Sequence, residues 1–106
     1  LEERPLLSLE QALELGALFK VLANDTRLRL LHALVRQGEM GVMELAEVLA
    51  MKPQAVSNQL QLLAARGILG SRRKGINNYY HIVDPCVVSL LDHGLCLSED
   101  AKARMI

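Results

Sequence analysis

The sequence predicts a mainly α-helical domain that carries one small β-hairpin, and three observations lead there. Apolar residues are 51% of the 106 while aromatics are only 3%, so the core must be aliphatic, and abundant Leu and Ala favour helices. Apolar positions recur at three- and four-residue steps in successive stretches bounded by capping residues and glycines. Between Gly67 and Asp84 that period gives way to two short β-prone segments around a turn-rich linker. The length suits one domain, residues 1–106, with a real core.

Leu1–Leu7 is charged and contains Pro5, and reads as a frayed end. Ser8 followed by Gln11 is a capping-box pattern, so a helix opens there and runs to about Leu22. Leu9, Ala12, Leu13, Gly16, Ala17, Phe19 and Leu22 spread its apolar surface wider than one core needs. Gly16-Ala17 allows close approach of another helix, so this is either a subunit interface or a fully packed internal helix. Asn24 or Asp25 caps the next helix, TRLRLLHALVRQ, which Gly38 ends; Leu28, Leu31, Leu34 and Val35 carry its expected core face. Arg27 and Arg29 read as solvated surface arginines or as phosphate contacts, and Glu39–Gly41 as a connector.

Val42–Leu69 organises the rest. Val42, Leu45, Ala46 and Leu49 share one face of a short helix, and Val56, Leu60, Leu63 and Ala64 share one face of a longer one that ends at Gly67. The remaining side chains of the longer helix include Gln54, Ser57, Asn58, Gln59 and Gln61, all uncharged donors and acceptors. Such a face suits base edges in a DNA groove; the plain alternative is a polar solvated helix. Ile68–Arg72 and Tyr79–Val83 then bracket the basic, turn-rich Arg73–Asn78, a hairpin able to lie along a phosphate backbone or to enter the minor groove. Asp84-Pro85 starts a last helix with Asp at the N-cap and Pro at its first position. Val87, Val88, Leu90, Leu91 and Leu95 are its apolar residues, His93-Gly94 is read as its end or a bend, and 101–106 read as a frayed tail.

Net charge is zero, yet no acid occurs between Glu47 and Asp84, where Lys52, Arg66, Arg72, Arg73 and Lys74 give +5. That local surplus is what phosphate binding needs. No apolar run long enough to span a membrane occurs, and LEERPLLS shows no secretory pattern. Two cysteines make no disulfide framework, so a cytoplasmic location is expected. Without a nucleophile–base pair, phosphate loop or HExxH spacing, no enzyme is indicated. His32 and His81 read as structural.

The order helix, helix, helix-turn-helix, β-wing, helix is a winged helix-turn-helix with an extra helix at each end. Phe19–Leu31, FKVLANDTRLRLL, is similar to the ArsR/SmtB pattern in which a helix ends at ALADPTRLRIL. Ala55–Leu60 with Leu63 and Gly67-Ile68-Leu69 resembles AVSHHLxxLxxAGLV, and Arg73-Lys74-Gly75 before Tyr79-Tyr80 resembles the family's wing. The resemblance covers roughly Leu9 to Asp92. It implies a homodimeric repressor of double-stranded operator DNA, paired through the first and last helices (Leu9, Leu13, Gly16, Val88, Leu91). Operator contacts would fall to Gln54, Ser57, Asn58 and Gln59 on the helix and Arg72, Arg73, Lys74 and Asn77 on the wing. Where the family often has Ser as the recognition-helix N-cap, this chain has Lys52, which loses the cap bond and offers a phosphate contact instead.

The resemblance also implies a sensor. The family's thiolate segment near the helix-turn-helix reads Met40–Glu44 here, without cysteine. On the last helix, Asp84 and Cys86 fall near the first half of a second family site, and Cys96, Glu99 or Asp100, with His93, near the other half. Ten helical residues separate the two cysteines by ~15 Å along the axis and about 280° around it, beyond the disulfide Cα limit of about 7 Å within one chain. Antiparallel pairing across a dimer would bring Cys86 of one subunit toward Cys96 of the other. The expectation is a metal or metalloid site at Asp84, Cys86 and Cys96 taking Zn(II), Cd(II) or As(III). Thiol redox sensing and purely structural cysteines stay open, as does a winged-helix protein-interaction module without DNA binding.

Overall fold

A computed structural model describes residues 1–105; Ile106, the end of the expected frayed tail, lies outside the described residues. The chain orders as α1 (Leu9–Leu22), α2 (Asp25–Gln37), β1 (Met40–Gly41), α3 (Val42–Leu49), α4 (Pro53–Ala65), β2 (Leu69–Lys74), β3 (Asn77–Ile82) and α5 (Pro85–Arg104). Leu1–Leu7 form no helix or strand.

The expected caps form. Ser8 Oγ accepts from the Gln11 N–H at 3.1 Å while Gln11 Oε1 accepts from the Ser8 N–H at 3.0 Å. Asn24 caps α2 through Arg27 N–H at 3.1 Å, and Asp84 caps α5 through Cys86 N–H at 2.8 Å. Both helices of the helix-turn-helix end in the same hydrogen-bonded device, in which the chain turns left-handed and the two following N–H groups fold back on orphan carbonyls. After α4 this is Gly67 at φ 76°, with Gly67 N–H to Ala64 and Ile68 N–H to Leu63. After α3 it is Ala50 at φ 54°, with Ala50 N–H to Glu47 and Met51 N–H to Ala46. An alanine there bears the left-handed penalty of roughly 1–2 kcal/mol that glycine escapes, so the tight turn is held by its tertiary setting.

The core is aliphatic, as composition requires. Leu30, Leu31 and Leu34 of α2, Leu45 of α3, and Val56, Leu60 and Leu63 of α4 are essentially inaccessible. Two residues expected in it are not there: Leu28 and Val35 are each 40% exposed. The inward face of α2 is rotated toward Leu30, Ala33 and Leu34, and Leu28 and Val35 instead line a hollow of about 850 Å³ between α1, α2 and α5. His32, expected to be structural, also lies on that hollow and is exposed.

The hairpin is tighter than expected. Arg73, Lys74, Asn77 and Asn78 are ladder residues, paired Arg73 with Asn78 and Lys74 with Asn77, leaving Gly75 and Ile76 as a two-residue loop. Only Gly75 of the two has a positive φ (65°), the signature of a turn with glycine at its first central position, whose twist matches the strands. The Glu39–Gly41 connector contributes a third strand: Met40 and Gly41 pair with Tyr80 and Tyr79, giving the order β1-β3-β2. That short strand anchors the wing to the helical core.

α5 runs unbroken through His93 and Gly94 to Arg104, so the helix does not end there and residues 101–104 are helical. None of its 20 residues is buried; Val87, Leu90 and Leu91 lean on the core while Leu95 and Leu97 are exposed. On α1, Leu9 is 77% and Leu13 65% exposed. The protomer's radius of gyration, 15.8 Å, exceeds the about 13 Å of a compact chain this long. An isolated protomer thus leaves two apolar helices uncovered, which is incompatible with α1 as a fully packed internal helix.

Candidate nucleic-acid interface

Pro53 opens α4 with its φ preset for a helix, and Lys52 before it gives no side-chain cap bond. The absence of the cap follows from the residue, since an ammonium donates and cannot accept from the helix's orphan N–H groups. Burial of Val56, Leu60 and Leu63 then decides what the helix shows outward. Gln54, Asn58 and Gln61 are exposed and Ser57 is half-buried. One helical turn apart, they order one another: Gln54 Nε2 donates to Asn58 Oδ1 at 3.0 Å and Gln61 Nε2 to Ser57 Oγ at 3.2 Å. These bonds are solvent-exposed and exchange readily for others.

Gln59 departs from the expectation. It is half-buried and turned to α2, where its Oε1 accepts from Arg27 Nε at 2.8 Å. Arg27 in turn donates through a terminal nitrogen to the Val21 carbonyl at 3.1 Å. Arg27 is therefore no solvated surface arginine, and it was not foreseen as part of the recognition helix's support.

On the wing, Arg73, Lys74 and Asn77 are exposed at the end of the hairpin, with Arg73 Nε donating to the Gly75 carbonyl at 3.1 Å. Arg72 is committed elsewhere. Its Nε meets both Glu39 carboxylate oxygens at 2.9 and 3.0 Å, a terminal nitrogen approaches Glu39 at 2.7 Å, and the guanidinium lies 5.9 Å from the Tyr79 ring centre. Arg73 and Lys74 thus stand without a carboxylate partner among the described residues, whereas Arg72, also exposed, is paired with Glu39 and braces the wing. Glu39 is the carboxylate that pattern reading missed: 33 residues from Arg72, only the β1–β3–β2 sheet brings them together.

The hydrogen bond from Arg72, and then its charge, hold the Glu39 carboxyl below its ordinary value, while the same bond raises Arg72. A carboxyl lowered in the folded state stabilises it fully above the unfolded value near about pH 4.3, and that contribution is lost as pH falls through the lowered value. Acidification in that range should release Arg72 from Tyr79, visible as a shift of the Tyr79 ring resonances. Glu39→Gln should show the released shifts already at pH 7 and no acid step; a Tyr79 signal indifferent to both would refute the brace.

Both cysteines are exposed on α5. Cys86 sits beside the capping Asp84, whose carboxylate hydrogen-bonds the thiol and repels its thiolate, pushing it above the usual thiol value. Cys96 Sγ lies 3.7 Å from Asp100 Oδ2. The chain therefore presents two separate sulfur–oxygen pairs on one helix. Among the described residues no three His, Cys, Asp or Glu side chains converge within a protomer.

A helix-turn-helix whose second helix shows an uncharged amide face, backed by a three-stranded sheet with a basic hairpin, defines a winged helix-turn-helix regulator. Residues 22–72 match the helix-turn-helix domain family. The chain is similar to the crystal structure of the AntR antimony-specific transcriptional repressor, at 58% identity over 97% of this chain and 93% of that one, TM-score 0.85. It is 40% identical to the transcriptional repressor SmtB homolog of Synechocystis over 79% of this chain, spanning 63% of that protein's length. It also resembles the homodimeric winged helix-turn-helix domain of Mb0332 from Mycobacterium bovis, a possible ArsR-family regulator (30% identity, 92% of each chain, TM-score 0.74). The chain belongs to the ArsR/SmtB family of winged helix-turn-helix transcriptional repressors. Among the described residues no helix is long and apolar enough to cross a membrane.

Proposed function

We propose that this chain is a cytoplasmic, non-enzymatic, sequence-specific repressor that binds double-stranded operator DNA as a homodimer. The observation that carries the reading is the acid-free polar face of α4 beside the exposed Arg73-Lys74 hairpin. α4 enters the major groove, where Gln54, Ser57 and Asn58 read base edges, while Lys52, Arg73, Lys74 and Asn77 hold phosphates. The apolar faces of α1 and α5, with Leu9, Leu13, Gly16, Val88 and Leu91, pair two protomers and so set the spacing of two half-sites. Selection of duplexes from a random pool, followed by affinity measured against salt, tests this. A palindromic consensus bound with a steep salt dependence is expected; a protein indifferent to duplex at low salt would leave only a protein-docking module.

The regulatory half of the proposal is release from DNA by a thiophilic metal or metalloid at α5. Asp84–Cys86 of one protomer and Cys96, with its neighbour Asp100, of the other supply a mixed sulfur and carboxylate donor set, soft enough for Zn(II), Cd(II) or As(III). The antimony-specific similar structure adds Sb(III) to the ions worth titrating. Equilibrium titration should find one of these ions bound tightly by wild type, and Cys86→Ser should weaken it at least tenfold, since even an outer-shell partner of a ligand contributes that much. Binding unaffected by the substitution removes this site. If instead no ion binds but mild oxidant lowers operator affinity in wild type and not in Cys86→Ser, the thiol redox reading holds.

A further inference from the structure

We infer that Arg27 is the residue that positions the recognition helix, by tying Gln59 of α4 to the last turn of α1 and thereby fixing which end of the Gln59 amide faces Arg27. This rests on the DNA-binding reading above.

The geometry is specific. Arg27 stands in the first turn of α2 and bonds in two directions, to Gln59 Oε1 at 2.8 Å and to the Val21 carbonyl at 3.1 Å, so that one guanidinium joins α1, α2 and α4. Its own backbone N–H is held by the Asn24 cap at 3.1 Å, so the side chain departs from a fixed point. All three bonds are partly shielded from water, unlike the exposed amide links on the outer face of α4.

The chemistry decides which way the amide faces. Guanidinium nitrogens only donate, so the end of Gln59 turned to Arg27 is its carbonyl oxygen. With that oxygen directed at Arg27, the amide nitrogen with its two hydrogens is the end of Gln59 best placed for a ligand. A bidentate adenine contact needs both ends of one amide directed at the base. Gln59 is therefore poorly oriented for that role and suited to a phosphate oxygen or a base acceptor at the edge of the site. The bidentate role is left to the outer amides, Gln54 and Asn58.

The second consequence is mechanical. α1 carries one of the uncovered apolar faces, and Val21 and Leu22 at its end are buried in the core. A tie from that turn to α4 sets where the recognition helix sits relative to the dimer face, and hence the fit of two half-sites.

A double-mutant cycle on the duplex selected by wild type tests this. Arg27→Gln and Gln59→Leu should each weaken binding on the order of tenfold, and the double variant no more than the worse single one, because one shared contact is lost. The salt slope of Arg27→Gln should match wild type, and Arg27→Lys, which keeps the charge without the two-directional fork, should be weakened too. A slope reduced by about two, one contact from each protomer, with Lys restoring affinity, would make Arg27 a phosphate contact and overturn the inference; so would additive losses. If Arg27→Gln fails to fold, the side-chain amide resonances of Gln59 in DNA-free Arg27→Lys decide: shifted signals support the tie and unchanged ones overturn it. Wild type that binds no duplex sinks the DNA reading and this role with it, whereas wild-type binding with additive variants sinks only the tie.

Discussion

Truncating Leu60 to alanine is expected to destabilise the chain by about 3–5 kcal/mol, the cost of a fully buried Leu whose cavity cannot close. Leu60 is inaccessible and lies on the inner face of α4 among Leu30, Leu31, Leu45 and Leu63 in one cluster. In a domain this size each kcal/mol moves the thermal midpoint by about 4–8 °C, so a drop of more than ~12 °C should be seen by calorimetry at fixed protein concentration. Leu62, two residues on and 37% exposed, is the matched control. Leu62→Ala should cost about 1 kcal/mol or less, and equal losses at both positions would mean that α4 does not face the core as described.

The largest effect on binding is expected at the hairpin. Each phosphate contact contributes about 0.9 to the slope of log affinity against log salt. Removing Arg73 and Lys74 together takes two contacts from each protomer of the dimer, so it should flatten that slope by about 3.6 and weaken operator binding on the order of a thousandfold at 0.15 M salt, with the preferred sequence unchanged. Both side chains are exposed, and among the described residues neither is ion-paired to a carboxylate as Arg72 is. Arg72→Ala should behave differently, because it breaks the Glu39 brace and frees Tyr79. A double variant with wild-type slope and a changed consensus would place the hairpin off the phosphate backbone.

The two outcomes separate what α4 owes to each of its faces. Leu60 acts through the fold alone, whereas the hairpin acts through the ligand's charge. The polar face between them, Gln54, Ser57 and Asn58, is expected to alter which sequence is bound more than how salt weakens binding.

Much of this was readable in residue order because the relevant physics is local. Ser8 with Gln11, Asn24, Asp84-Pro85 and Gly67 mark helix ends through bonds that span two to five residues, and all four form as expected. The three-and-four spacing of Val56, Leu60 and Leu63 located the inner face of α4, and its outer amides followed by subtraction. The acid-free window from Glu47 to Asp84 needed only counting. Membership of the ArsR/SmtB family was legible in short runs in fixed order, and the similar structures bear the family out.

What composition and period alone determined, then, is an aliphatic helical domain with a helix-turn-helix and a basic hairpin. The tertiary structure decided the rest. A two-residue strand has no detectable period, so Met40-Gly41 was visible only once β3 lay beside it. α2 could be rotated by one position without violating its pattern, and packing against α3 and α4 chose Leu30 over Leu28 and Val35. Ala50 takes a left-handed turn that its side chain disfavours, because the two flanking helices are already docked. Arg72 with Glu39, and Arg27 with Gln59, are pairs more than 30 residues apart, and nothing in their spacing distinguishes them from solvated charges and amides. Side-chain chemistry is written in the chain, but which donor meets which acceptor is settled only when folding brings distant segments within hydrogen-bond reach.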